Sequence, residues 1–82
     1  AIGNVSTDLY SNIASLYQHL GDFKTANAYL YKSYADAIEK KQLDKTLHLY
    51  LNLIQNYSYL NNGDSVRRYL ELYTGLRDSV YS

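Results

Sequence analysis

The two histidines have the most versatile side-chain chemistry in this sequence. His19 and His48 are its only histidines, and it has no cysteine. Imidazole binds metal ions and transfers protons near neutral pH, but a metal site needs further ligands close by. The two residues lie on different predicted helices, and no third ligand is evident. We therefore interpret both as surface groups and expect neither a metal ion nor a cofactor.

The carboxylates and serines also lack the spacing that catalysis needs. Asp22, Asp44 and Asp64 each stand where a helical pattern begins, so helix capping explains them better than acid–base chemistry. No serine lies in a nucleophile-elbow motif, and the four glycines are isolated, so no phosphate-binding loop is predicted. The sequence predicts no catalytic residues and no enzyme. A small enzyme or metalloprotein built on a four-helix bundle remains the alternative.

Composition bears on size, partners and shape. The chain has 82 residues, which is one small domain, with eight basic and eight acidic residues and a formal net charge of zero. This balance gives no reason to expect direct nucleic-acid binding. No apolar run is long enough to span a bilayer, so no membrane contact is expected. Eleven tyrosines stand against one phenylalanine. Because tyrosine has a polar tip, a thin structure with water near its core is expected.

Apolar residues recur every three or four positions in four segments, which predicts an all-α fold. The first segment spans residues 7–20; Gly21 follows as a left-handed helix end and Asp22 as the next N-cap. The second segment fades into the polar stretch 39–42, which predicts a looser connection. Asp44 is expected to cap the third helix. The turn NNGD, residues 61–64, is expected to end it, with Asp64 as the cap of the fourth.

The two halves of the chain resemble each other. Leu9-Tyr10 aligns with Leu49-Tyr50, an offset of 40 that rises to 42 after the Gly-Asp turn. Such an offset indicates an internal repeat of antiparallel helix pairs. Two units are fewer than the about three that stable repeat arrays need, so we expect the isolated chain to be marginally stable or to self-associate.

These residues resemble the tetratricopeptide repeat (TPR) family. The first half carries the resemblance at Tyr10, Ile13, Ala14, Tyr17, Gly21, Asp22, Phe23 and Ala26. The second half departs from it at Ile54, Ser65 and Arg68. The resemblance implies two antiparallel helix hairpins, at about 7–41 and about 44–81, that form a right-handed α-solenoid fragment within a single domain of residues 1–82. The segment 69–82 also resembles the last repeat of bacterial signalling proteins with a TPR sensor region.

The resemblance further implies a non-enzymatic module that binds a protein or peptide, as part of a TPR array in a bacterial regulatory or sensor protein. It would lie in the periplasm if the parent is a membrane-anchored sensor, and otherwise in the cytoplasm. Its partners would be a protein or peptide, neighbouring repeats, or a second copy. A structural spacer or dimerisation segment without a groove ligand is the alternative.

In this family the first helix of each hairpin lines the groove. The implied groove positions are polar and mostly uncharged, and they are Asp8, Ser11, Asn12, Ser15, Gln18, His19, His48, Leu51, Asn52, Gln55, Ser58 and Tyr59. Asn12 and Asn52 fall at equivalent places, and a carboxamide can donate to and accept from a peptide backbone at once. Ser11 and Ser15 stand where the family's carboxylate clamp has Lys and Asn, so a carboxylate-ended peptide is not expected. These positions could equally be solvated helix faces.

Overall fold

The computed structural model describes the backbone of residues 2–81 and the side chains of residues 6–80. Within that range the chain forms four helices and no strand, which confirms the all-α prediction. The first helix begins earlier than the pattern from residue 7 predicts. Ala1 and Ser82, the ends of the predicted domain, lie outside the described residues. The helices are α1 (Ile2–His19), α2 (Phe23–Glu39), α3 (Leu43–Tyr59) and α4 (Gly63–Tyr81).

The three turns share one geometry. Gly21, Lys41 and Asn61 each follow a helix end with a positive φ, of 80°, 57° and 57° respectively. At each turn the next residue's N–H donates to a carbonyl five residues back, with N···O distances of 2.9 Å. This is the Schellman arrangement, which gives partners to the last carbonyls of a helix. The expected looser connection after α2 is therefore wrong, because residues 40–42 form the same tight turn as the other two.

Two of the three predicted helix caps are also wrong. Asp22 caps α2 as expected, since its carboxylate accepts from the Thr25 N–H at 3.1 Å. Asp44 and Asp64 instead lie inside the first turns of α3 and α4. A negative charge there stabilises the helix through its interaction with the helix dipole. Gln42 precedes α3 without a side-chain cap. Asn62 precedes α4, and its side-chain oxygen accepts from the Ser65 N–H at 3.1 Å.

Each helix packs on the next one along the chain: α1 on α2, α2 on α3, and α3 on α4. The result is a flat molecule with extents of 30 × 30 × 15 Å. Burial of a leucine in such a core contributes about 1.5–3 kcal/mol. Small residues let the helices approach closely. One packed cluster of buried apolar residues consists of Ala14, Ala26, Leu30, Ala37, Leu49 and Leu53, and Leu47 and Tyr50 are also buried.

Tyrosine rings surround this core and show the repeat directly. In the first hairpin Tyr29 stacks on Tyr17, with ring centroids 5.7 Å apart and planes 7° apart. In the second, Tyr69 stacks on Tyr57 at 5.8 Å and 5°. The second pair lies 40 residues after the first, and Tyr69 follows the turn between α3 and α4. The predicted rise of the offset to 42 is therefore wrong: the structural period stays at 40, and Gly63-Asp64 is not equivalent to Gly21-Asp22.

Candidate peptide-binding groove

Helices α1 and α3 lie side by side, and polar contacts join them at both ends. At one end the Lys45 ammonium lies 2.7 Å from an Asp8 carboxylate oxygen. At the other, the Gln18 amide donates to the Asn56 side-chain oxygen at 2.6 Å. Two cavities open between these helices. Helices α1 and α3 therefore both contribute to one surface.

The first cavity has a volume of about 380 Å³ and contains the charged end of the surface. Four of the predicted groove residues line it: Asp8, Ser11, His48 and Asn52. The Ser11 hydroxyl shares a hydrogen bond of 2.8 Å with the Ser33 hydroxyl of α2. The cavity thus offers carboxamide, imidazole, carboxylate and ammonium groups within one recess.

The second cavity has a volume of about 300 Å³ and contains the more aromatic end. Gln18, His19, Gln55 and Tyr59 line it among the predicted residues. The Tyr59 ring stacks on Phe23 with centroids 4.7 Å apart, which forms an apolar wall. His19 Nδ1 lies 2.7 Å from the Ser15 carbonyl oxygen. A carbonyl can only accept, so Nδ1 carries the proton in this contact.

Four of the twelve predicted residues line neither of these cavities. Leu51 instead lines a recess with Tyr73 and Arg77 of α4. Asn12, Ser15 and Ser58 line neither cavity between α1 and α3. The structure therefore does not bring Asn12 and Asn52 together in one recess, although the two remain equivalent along the chain.

Thr7, Asp44, Lys45 and Leu49 line the first cavity although they were not predicted groove residues. Lys45 precedes His48 by three residues, so helical spacing alone places them on one face. Thr7 is almost fully buried, and its hydroxyl donates to the Asp36 carboxylate. Nothing in the sequence marks this contact, which joins α1 to α2 beneath the cavity.

Asp36 forms a hydrogen bond with Thr7, which lines this cavity, and an ion pair with Lys40. The Lys40 ammonium lies 2.5 Å from its carboxylate. Hydrogen bonds from Lys40 and then Thr7 hold the pKa of the Asp36 carboxyl below its usual value. Asp36 is therefore ionised at neutral pH and accepts a hydrogen bond from the Thr7 hydroxyl.

A buried carboxamide network lies beneath the second cavity. Asn56 is fully buried, and its amide donates to the Asn27 side-chain oxygen at 2.8 Å. With the contact from Gln18, this side chain connects α1, α2 and α3. Every buried side-chain N or O atom of the described residues has a hydrogen-bond partner. The network therefore fixes the spacing of the helices that form the surface.

The described residues contain no group of three or more His, Asp or Glu side chains placed to bind a metal ion. None of the helices in residues 2–81 is long and apolar enough to cross a bilayer. Comparison of the chain with protein-family models, curated proteins and solved structures finds no match.

Proposed function

We propose that the chain is a non-enzymatic protein- or peptide-interaction module, part of a right-handed TPR solenoid in a bacterial regulatory or sensor protein. The observation that carries the proposal is the pairing of α1 and α3 around two adjacent recesses. Eight of the twelve positions implied by the family resemblance line those recesses. A repeat protein presents binding residues in this way, on the face where its first helices meet.

The groups in the recesses match an extended peptide. Asn52 and Gln55 carry carboxamides, which pair with backbone N–H and C=O groups. The Phe23–Tyr59 stack offers a flat apolar surface for one side chain of the ligand. The charged groups at the other end include both signs, with Lys45 paired to Asp8. A largely uncharged segment with one apolar anchor fits this surface best.

The test is a selection of random displayed peptides on the chain, followed by measurement of Kd for the peptides recovered. Asn52→Ala combined with Gln55→Ala should weaken binding at least five-fold, because buried ligand groups would lose their partners. Arg68→Ala combined with Glu71→Ala on α4 is the matched control, since both side chains are exposed away from the groove. Equal Kd values for both double variants, or no recovered peptide, would contradict the proposal.

A spacer or dimerisation segment is the second candidate, and one observation favours it. Leu9 and Leu16 are exposed on α1, and Leu20 is exposed in the turn that follows, which is unusual for a solvated helix face. A second copy that covers this face would make the thermal midpoint rise with protein concentration. A concentration-independent midpoint together with a peptide ligand would exclude this candidate.

A further inference from the structure

The outer face of α1 is the counterpart of a face that is covered on α3. On α3, Leu49 is 2% exposed and Asn56 is fully buried. Forty residues earlier, Leu9 is 50% exposed and Leu16 is 65% exposed. The two helices occupy the same place in their hairpins, since turns and tyrosine stacks repeat with the same period. The difference is that α2, from the first hairpin, packs on α3, whereas no preceding hairpin covers α1 within the described residues.

Helix α2 shows what such a cover looks like. Three of its side chains reach α3 at successive turns: Asn27 bonds Asn56 at 2.8 Å, Tyr31 bonds Tyr57 at 2.5 Å, and Tyr34 bonds Tyr50 at 3.1 Å. Leu30 fills the space between them and is buried. The covering face is therefore apolar in the middle, with hydroxyl and carboxamide groups at its edges.

Helix α4 does not repeat this face. The positions on α4 equivalent to the four α2 residues just named carry mostly charged or polar side chains. Leu70, the equivalent of Leu30, is 50% exposed. Charge on an outer face is what repeat proteins place at the end of an array. The four positions on α4 are Arg67, Leu70, Glu71 and Thr74.

We infer that the α1 end face binds a further helical hairpin of the same 40-residue pattern, whose second helix presents an α2-like face, whereas α4 closes the opposite end against such stacking. This inference rests on the array in the proposed function and is independent of any groove ligand. The interface is the continuation of the α2–α3 contact seen within the chain, shifted back by one hairpin.

The side chains on α1 define the chemistry of this partner. Tyr17 and Tyr29 occupy the places of Tyr57 and Tyr69, whose hydroxyls both bond the Tyr31 hydroxyl, at 2.5 and 2.9 Å. The partner should therefore carry a hydroxyl that reaches between Tyr17 and Tyr29. Leu16 replaces the buried Asn56, so the partner should carry an apolar residue at the position of Asn27.

Two fusions of equal length and composition, in which the added copy of residues 3–42 carries Asn27→Leu to match Leu16, test the direction of stacking. One places residues 3–42 before residues 3–82, so that an α2 face meets an α1 face. The other places residues 3–42 after residues 3–82, so that the α4 face meets it. We expect the first fusion to unfold in one transition, with a midpoint higher than that of the second. Equal midpoints, or a higher midpoint for the second fusion, would overturn the inference.

A matched substitution within the first fusion isolates the interface. Leu16→Ala in the second copy of the hairpin removes a side chain that the stacked hairpin buries, and should lower the midpoint by roughly 10 °C. The same change in the first copy removes an exposed side chain and should shift the midpoint by no more than a few degrees. Equal shifts for the two copies would show that no such interface forms.

Sedimentation equilibrium of the 82-residue chain tests whether a second copy of the chain, and not a further hairpin, covers the α1 face. We expect a monomer at micromolar concentration. A dimer that Leu16→Glu dissociates would make a second copy the partner of this face and would overturn the inference. The peptide selection described for the groove reads out a different surface, so failure of one experiment leaves the other intact.

Discussion

The Asn56 amide donates to the Asn27 side-chain oxygen in the interior of the molecule, with an N···O distance of 2.8 Å. Asn56 also accepts from Gln18, so one side chain on α3 holds both helices of the first hairpin. A carboxamide in this position favours the observed alignment of the two hairpins, because Gln18, Asn27 and Asn56 all find hydrogen-bond partners in it.

Replacement of this carboxamide should be costly. Asn56→Leu keeps the side-chain volume but leaves Asn27 and Gln18 without their partner, and we expect a loss of about 1–3 kcal/mol in the free energy of unfolding. Gln55→Leu, on the exposed side of the same helix, is the control and should change stability by less than about 0.5 kcal/mol. Urea denaturation measures both. A loss at residue 56 no larger than that of the control would refute the structural role of the network.

Two glycines should respond to alanine in opposite directions. Gly21 has φ of 80°, so Gly21→Ala forces a side chain into the left-handed region and should cost about 1–2 kcal/mol. Gly63 is the first residue of α4, and an added Cβ would meet nothing within 4 Å. Gly63→Ala should therefore stabilise by about 0.4–1 kcal/mol. Thermal unfolding of the two variants checks the prediction, and a loss of stability in Gly63→Ala would contradict it.

Acid should weaken the contact between α1 and α2. Hydrogen bonds from Lys40 and Thr7 lower the pKa of Asp36, so its contribution is present above the unfolded-state value of about 4 and is lost as pH falls through the folded-state value. Asp36→Asn should flatten the decrease of unfolding free energy between pH 5 and pH 2. Glu71→Gln, an exposed carboxyl on α4, is the control. An identical pH profile for wild type and Asp36→Asn would count against this assignment.

Alkali should act on the tyrosine cluster. Burial, followed by hydrogen bonds with Tyr57 and Tyr69, raises the pKa of Tyr31. Its contribution is therefore complete below the unfolded-state value of about 10 and is lost as pH rises above it. Tyr31→Phe should make the free energy of unfolding less sensitive to pH above 10, as measured by denaturation in alkaline buffers. Tyr59→Phe, which removes a hydroxyl outside this cluster from a ring that stacks on Phe23, is the control variant.

The sequence predicts the helices well because their apolar periodicity is strong. It predicts the turns poorly, because two different residue patterns can make the same turn. Lys41 adopts a positive φ without being Gly or Asn, so no propensity rule marks it. Asn61 adopts the positive φ, although Gly63, two residues later, is the residue type that most favours it. The apparent shift of the repeat follows from that single misreading.

The groove was only partly predictable for a geometric reason. Each first helix has two edges, one towards the hairpin before it and one towards the hairpin after it. Ser11 and Gln18 lie on the edge that meets α3, whereas Asn12 is absent from both recesses there. A family register assigns all these positions to one surface. Which edge is closed depends on tertiary contacts such as Lys45–Asp8, which local sequence does not encode.

The packing of each helix on the next one along the chain has a kinetic consequence. Chain segments that meet are close in sequence, so little loop entropy opposes their meeting and folding should be fast. Opening should start at the termini and move inwards, because α1 and α4 each leave large apolar side chains exposed, among them Leu16 and Leu70. Amide hydrogen exchange would then be slowest in α2 and α3, and the terminal helices would open and re-form on these two central helices.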